Sequence, residues 1–84
     1  MLVRDDLKPW IKDALEASGG QASVIEVCRY VWHHHEAELR QGGDLFFTWQ
    51  YDIRWAATKL RHEGIIAAAD KKSHTPWRLA ERNQ

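Results

Sequence analysis

Apolar residues recur along the first part of the chain at the spacing of an amphipathic helix. They fall at positions i, i+3, i+4, i+7 and i+8, and they are Leu7, Trp10, Ile11, Ala14 and Leu15. This spacing places one apolar stripe along an α-helix. Asp5 or Asp6 can cap that helix, and the pair Gly19-Gly20 supplies the left-handed conformation that ends it. A first helix is therefore predicted between these signals.

A second helix is predicted from the sequence "SVIE". The Ser23 hydroxyl can accept from the amide of Glu26 while the Glu26 carboxylate accepts from the amide of Ser23, which is a capping box. The helix should end near Leu39 or Arg40, before the glycine pair at 42 and 43. Only residues 19–22 connect it to the first helix, which predicts an angled helix pair or one short strand between them. Its apolar stripe contains Val24, Val27, Cys28 and Val31.

A third helix follows "GGDLFF", over about residues 48–63. Thr48 is the favoured N-cap, Asp44 is the alternative, and Gly64 is placed to end the helix. Its core face is predicted to hold Trp49, Ile53, Ala56, Ala57 and Leu60.

The period then changes from helical to extended. "GIIAAAD" and "PWRLA" are rich in strand-compatible residues, and the polar bend "KKSHT" lies between them, which predicts an antiparallel hairpin over about residues 65–80. Pro76 at the start of the second strand suggests an edge strand. The order helix, short strand, helix, helix, hairpin is that of the winged helix-turn-helix, a mainly α fold of three helices with a two- or three-stranded wing. Other three-helix arrangements with a hairpin remain open.

Length and composition predict one globular domain over residues 1–84, with its core at about 5–80 and a frayed tail at 81–84. The 84 residues are 44% apolar and 29% charged, and the net charge is zero. Residues 1–43 hold five basic and seven acidic side chains, and residues 44–84 hold seven basic and five acidic ones, a mild basic bias toward the second half. The lone Cys28, the lack of a long apolar segment and the acidic N-terminus favour a cytoplasmic protein without membrane contact.

The stretch "IRWAATKLRHEGII" resembles the N-terminal winged-helix domain of Mrr-type restriction endonucleases and related stand-alone domains. The resemblance covers roughly residues 5–80, and it is carried by Ile53, Trp55, Ala56, Leu60, Arg61, Gly64 and Ile65, followed by Trp77 and Leu79. It implies a domain that binds DNA and that is joined in that family to a separate nuclease domain. The family's wing has a basic–glycine pair before its aromatic residue, where this sequence has "HTPW", so the resemblance supplies no wing contacts.

The polar face of helix three is the candidate DNA-binding surface. Arg54 can form a bidentate contact with guanine or a phosphate, and Tyr51 and Thr58 can donate to phosphate oxygens. The alternative is an ordinary solvated face. Trp55, on the same side, is predicted to pack beneath the wing. For the cations at the hairpin tip, phosphate contact and a merely soluble turn are equally supported. The full candidate set is Gln50, Tyr51, Arg54, Thr58, Lys59, Arg61, His62, Lys71, Lys72 and His74.

No catalytic, metal or cofactor site is predicted. Consecutive helical residues point about 100° apart, so His33, His34 and His35 cannot converge on one ion. His35 falls in the apolar stripe and is expected to be a hydrogen-bonded imidazole at the core edge. Cys28 is expected to be a small buried hydrophobe, and no nucleophile or phosphate-loop motif occurs.

Two functions follow as hypotheses. In the first, the domain binds double-stranded DNA with helix three in the major groove and the wing on the backbone, as the recognition module of a restriction or defence protein or as a small transcriptional regulator. Weak binding by a neutral domain would then call for a homodimer or a tethered partner domain. In the second, the domain keeps the winged shape and mediates protein–protein contact or dimerisation without DNA, through its aromatic residues. Neither hypothesis involves a small-molecule substrate.

Overall fold

The computed structural model describes residues 2–68 and 76–80. A short 3-10 turn, here called the N-terminal turn, spans Arg4–Asp6 and leads into the first helix. The helices and strands that follow are α1 (Leu7–Ala17), β1 (Gln21–Ala22), α2 (Val24–Arg40), α3 (Leu45–His62) and β2 (Trp77–Arg78). The fold is therefore mainly helical with a small antiparallel sheet.

One hydrophobic core joins the three helices and the sheet. The predicted apolar stripe of α1 is buried, and so is the predicted core face of α3. The side chains that are fully enclosed and largest are Leu7, Ile11, Leu15, Leu39, Ile53, Ile66, Val27 and Val31. Burial of each such side chain contributes on the order of 1.5–3 kcal/mol relative to its exposure to water.

The sheet brings the C-terminal strand between two earlier segments. β1 pairs antiparallel with β2, with Gln21 opposite Arg78. On the other side, Ile66 bridges Leu79, and the amide of residue 67 donates to the carbonyl of Arg78 at 2.8 Å. The suggestion of an edge strand from Pro76 was wrong. Pro76 precedes the paired residues, so its missing N–H removes no hydrogen bond from the sheet.

The helix ends follow the predicted signals at several points. The Ser23 hydroxyl accepts from the Glu26 amide at 3.1 Å, and the Glu26 carboxylate accepts from the Ser23 amide at 2.9 Å, so the capping box is confirmed. Gly20 has a φ of +107° and its amide donates to the Leu15 carbonyl at 2.7 Å. This backbone conformation closes α1 and is rare for residues with a side chain.

The start of α1 differs in detail from the capping prediction. Asp6 occupies the N-cap position of α1, but its own backbone is helical and its side chain does not cap α1. Its carboxylate instead accepts from the Val3 amide at 2.8 Å. The aspartate thus stabilises the N-terminal turn, which is one turn earlier in the chain than predicted.

The third helix begins three residues before the favoured N-cap prediction. Asp44 is the N-cap residue, although its side chain makes no capping hydrogen bond. Thr48 lies inside the helix, where its hydroxyl donates to the Asp52 carboxylate at 2.7 Å. The earlier start places Leu45 in the core, only 9% exposed, and this burial explains why the chain is helical before Thr48.

Candidate nucleic-acid interface

The outer face of α3 is exposed along its whole length. Tyr51, Arg54, Thr58 and His62 follow one another at spacings of three and four residues, so they lie on one face of the helix. The opposite face is the buried core stripe that contains Ile53. Tyr51 is 78% exposed. The periodicity of the sequence therefore identified this face, and the described structure leaves it open to a partner.

The outer face of α3 carries positive charge and no carboxylate. The single acidic residue within the helix is Asp52, which is half-buried and accepts the hydrogen bond from Thr48. Across residues 2–68 and 76–80, the ion pairs are Lys8–Glu63, His35–Glu38 and Arg40–Glu36. Arg54 belongs to none of them. Its guanidinium is therefore available to a phosphate or to a base edge.

A groove of about 730 Å³ runs between α2 and α3 beside this face. Trp32 and Trp49 stack within it, with ring centroids 6.1 Å apart and planes 8° apart. Arg29 from α2 and Arg54 from α3 both line it, and its lining contains no carboxylate among the described residues. The lining residues are Val24, Ile25, Cys28, Arg29, Trp32, Phe46, Trp49, Gln50, Tyr51 and Arg54.

Arg29 is a member of this surface that was not among the residues predicted from the sequence. It lies one turn after the exposed Ile25, outside the apolar stripe of α2, and a helical wheel alone does not distinguish it from a solvated charge. Its position became meaningful only when the packing of α2 on α3 brought it to the same groove as Arg54. The signal available in the sequence was its position directly after Cys28, a member of the predicted apolar stripe of α2 that packs against the core.

Cys28 lies half-buried in the groove and packs against the core. Burial raises the pKa of its thiol, and the nearby positive charge of Arg54 opposes that rise. The raised pKa keeps the side chain protonated at neutral pH, since the thiolate is the disfavoured form. Cys28 therefore behaves as the small hydrophobe that was predicted, although it is not fully enclosed.

The indole of Trp55 is half-buried and lies beside two cations. The Arg4 guanidinium lies over it, with Cζ 3.8 Å from the ring centroid. Lys59 approaches the same ring, with Nζ 5.6 Å from the centroid. The N-terminal turn, which has no apolar periodicity, thus packs against α3 and covers part of this indole. The tip of the hairpin under which Trp55 is predicted to pack lies outside the described residues, so that contact stays a prediction.

The remaining candidate residues divide by exposure. Gln50, Lys59 and His62 are exposed, as predicted. Arg61 is only half-exposed, and its Nε is buried without a hydrogen-bond partner in the described part of the chain. Arg61 is therefore less accessible than Arg54. The candidates at the hairpin tip, Lys71, Lys72 and His74, lie outside the described residues.

His35, the third residue of the run His33-His34-His35, contributes to packing. His35 stacks flat on Trp10, with ring centroids 3.8 Å apart and planes 7° apart, and its Nδ1 lies 2.9 Å from a Glu38 carboxylate oxygen. This confirms the prediction of a hydrogen-bonded imidazole at the core edge.

Within residues 2–68 and 76–80, no three His, Cys, Asp or Glu side chains come together as a metal site. Among those same residues no helix has the length and apolarity needed to cross a bilayer.

Comparison of the chain with protein-family models, with curated proteins and with solved structures finds no match. Any function must therefore be inferred from the surface itself. The surface around α3 has two distinctive features. They are the outer face of α3, which has no carboxylate, and the groove beside it, which is flanked by two arginines.

Proposed function

We propose that this chain is a winged-helix domain that binds double-stranded DNA, with α3 in the major groove and the segment at about residues 65–80 on the backbone. The observation that carries the proposal is the outer face of α3, which is exposed, free of carboxylates and centred on an arginine with no ion-pair partner among the described residues. The order of elements, with β2 between β1 and the segment at Ile66, supports the winged layout. Such a layout presents its third helix to DNA.

The chemistry of this face matches both parts of a DNA duplex. The guanidinium of Arg54 can donate two parallel hydrogen bonds to guanine O6 and N7, and the amide of Gln50 can pair with adenine N6 and N7. The Tyr51 hydroxyl can donate to a phosphate oxygen. The Thr58 hydroxyl already donates to the Arg54 carbonyl at 3.1 Å, so in this conformation Thr58 offers its lone pairs and methyl group rather than a donor.

The groove between α2 and α3 supplies a second contact beside the base-reading residues. Arg29 is exposed and lines the groove opposite α3, where its charge would meet the sugar–phosphate backbone that borders the major groove. Arg29 would therefore position the domain on the DNA backbone without contributing any sequence preference. Arg54 and Gln50 would supply the sequence preference.

The zero net charge sets the expected strength of binding. Few phosphates would be neutralised by one copy, so the affinity of a single domain should be low and its dependence on salt shallow. Useful occupancy would then require a second copy or a tethered domain, because linkage raises the effective concentration. A recognition module of a restriction or defence protein, or a small transcriptional regulator, would meet this requirement.

Fluorescence anisotropy of a labelled duplex at low salt tests the proposal. Wild type should bind, and Arg54→Ala should weaken binding by about 5- to 150-fold, which corresponds to the roughly 1–3 kcal/mol of a bidentate base contact. Arg61→Ala should have a smaller effect, because Arg61 is only half-exposed. Arg40→Ala is the matched control, since Arg40 is exposed but already paired with Glu36 at 2.8 Å. Absence of binding by wild type, or equal loss in the Arg40 and Arg54 variants, would contradict the proposal.

One observation favours protein contact as a second candidate function. Phe47 is 83% exposed and Ile25 is 65% exposed, and large apolar side chains in such positions are typical of protein interfaces. If the domain dimerises through them, light scattering should show a mass that rises with concentration and returns to the monomer in Phe47→Ala. A monomeric wild type over the same range would exclude self-association as the role of these residues.

A further inference from the structure

A second cationic surface lies on the side of α3 away from α2. A cleft of about 480 Å³ there is lined by Val3, Arg4, Asp5, Lys8, Trp55 and Lys59. Its parts come from the N-terminal turn and the residue before it, from the first turn of α1, and from the middle and last turn of α3. The packing of the N-terminal turn on α3 thus brings cations from distant parts of the sequence to one edge of the candidate DNA-binding face.

The Trp55 indole holds the Arg4 guanidinium in a defined place. The 3.8 Å separation between Arg4 Cζ and the ring centroid is a cation–π contact. A guanidinium that lies over a ring still points its N–H groups outward, and a rigid donor set loses less conformational entropy when it binds a phosphate. Arg4 is exposed and makes no ion pair within the described residues.

The other charges of the cleft leave a positive excess. Lys8 is paired with Glu63, with Nζ 2.6 Å from the carboxylate oxygen, so their charges offset each other. Arg4 and Lys59 then face the single carboxylate Asp5, which leaves one net positive charge. Two cations over one indole are therefore available to one anionic group.

We propose that Arg4 and Lys59, arranged over Trp55, bind a backbone phosphate of the DNA strand on the opposite side of the major groove from Arg29. This inference rests on the proposed function. The major groove is about 12 Å wide and a helix with its side chains is about 10–12 Å across. A helix in the groove consequently has phosphates along both of its sides, and α3 has cations from neighbouring elements on both of its sides.

The salt dependence of binding tests this site. Each phosphate contact contributes about 0.9 to the slope of log affinity against log salt, so the double variant Arg4→Ala/Lys59→Ala should make the wild-type slope shallower by about that amount. Arg4→Ala alone should make it shallower by part of that amount, because Lys59 remains at the site. Trp55→Leu removes the platform without changing the charge, and it should weaken binding several-fold at low salt. The matched control is Arg40→Ala, because Arg40 also lies over an indole, with Cζ 5.3 Å from the Trp32 centroid, but on the α2 side. Circular dichroism verifies that each variant is folded.

The outcomes separate the two proposals. If wild type binds and Arg54→Ala loses affinity, while Arg4→Ala and Arg40→Ala share the wild-type slope, the phosphate site is overturned and the proposed function stands. If Arg4→Ala lowers the slope and Arg4→Lys restores part of it, the site is supported. If wild type does not bind any duplex at low salt, both proposals fail together.

Discussion

The two sides on which α3 packs differ in how completely they are closed. Toward α1, the contact is sealed: Leu7, Ile11, Ala14 and Leu15 are all 0% exposed. Toward α2, Val27, Val31 and Leu39 are also 0% exposed. The neighbouring residues Val24, Cys28 and Trp32 remain half-buried, however, and a groove stays open between the helices. The same helix therefore has a side that stabilises the fold and a side that remains accessible.

This difference separates residues that hold the protein together from residues that would bind a partner. Close packing makes the sealed side sensitive to the loss of even one methylene group. The open side displays Arg29, Tyr51 and Arg54, which are exposed and contribute little to burial, so their removal should lower the free energy of unfolding only slightly. Substitutions on the two sides should therefore change different measured quantities.

The largest expected effect is on stability, from truncation in the sealed interface. Ile11→Ala should lower the free energy of unfolding by about 2–5 kcal/mol, because it removes buried methyl groups and leaves a cavity. Tyr51→Ala, at a 78% exposed position on the outer face, should change it by less than about 0.5 kcal/mol. Urea denaturation monitored by circular dichroism measures both. Equal losses would show that the two sides of α3 do not differ as described.

The next largest expected effect is on the affinity for a DNA duplex, from substitutions on the open side. Arg29→Ala and Arg54→Ala should each weaken duplex binding while their urea midpoints remain at the wild-type value. Arg54→Ala should alter the preference among duplex sequences, whereas Arg29→Ala should weaken all sequences alike, since base contacts specify and phosphate contacts do not. Anisotropy titrations with a panel of duplexes make the comparison. If both variants lose affinity equally for every duplex in the panel, Arg54 does not read the bases.

A smaller effect is expected at the start of α2, which forms one wall of the groove. Ser23→Ala removes the hydroxyl that caps α2 and should lower the free energy of unfolding by about 1 kcal/mol. Ser23→Thr keeps a capping oxygen and is the matched control. A loss as large in Ser23→Thr as in Ser23→Ala would indicate that something other than the cap was disturbed.

The same capping box predicts a pH dependence. The hydrogen bonds from Ser23 lower the pKa of Glu26 below its ordinary value of 4.5, so the folded state favours the ionised form. The stabilisation is therefore present above that ordinary value and is lost as the pH falls through the lowered pKa. Urea midpoints measured from pH 6 downward should fall less steeply in Glu26→Gln, which has no carboxylate to protonate, than in wild type. Parallel curves would contradict this role of the Glu26 carboxylate.

The smallest effect is on the reactivity of Cys28. Because burial raises the pKa of its thiol, alkylation should become fast only at a pH above the ordinary value of 9.0. Arg54→Ala should move the midpoint further upward, since the Arg54 charge opposes the rise. Rates of iodoacetamide reaction across pH, measured by mass spectrometry, test this. A midpoint below 9.0 would contradict the described environment.

Much of the fold could be predicted from periodicity and capping, because both depend on residues close together in the sequence. The stripes of α1 and α3 and the Ser23–Glu26 box are examples, and the structure confirms them. The start of α3, the central position of β2 and the partner of Trp55 depended on packing between distant segments. Local patterns contain no information about such packing.

The candidate interface was predictable to a similar extent. A helical wheel identified the outer face of α3 from Tyr51 to His62, and these residues are exposed. The wheel could not reveal that Arg29 shares a groove with Arg54 or that Arg4 lies over Trp55. Each of these pairs joins two elements, so each became visible only from the tertiary structure.

The most direct test of the central claim is a map of amide chemical shifts in ¹⁵N-labelled protein titrated with a short duplex. If the outer face of α3 lies in the major groove, the largest perturbations should fall on residues 50–62, with smaller ones at Arg29 and Arg4. The amides on the outer side of α1, at Asp13 and Glu16, which are exposed, should not move. Perturbations centred on α1, with α3 unchanged, would contradict the account.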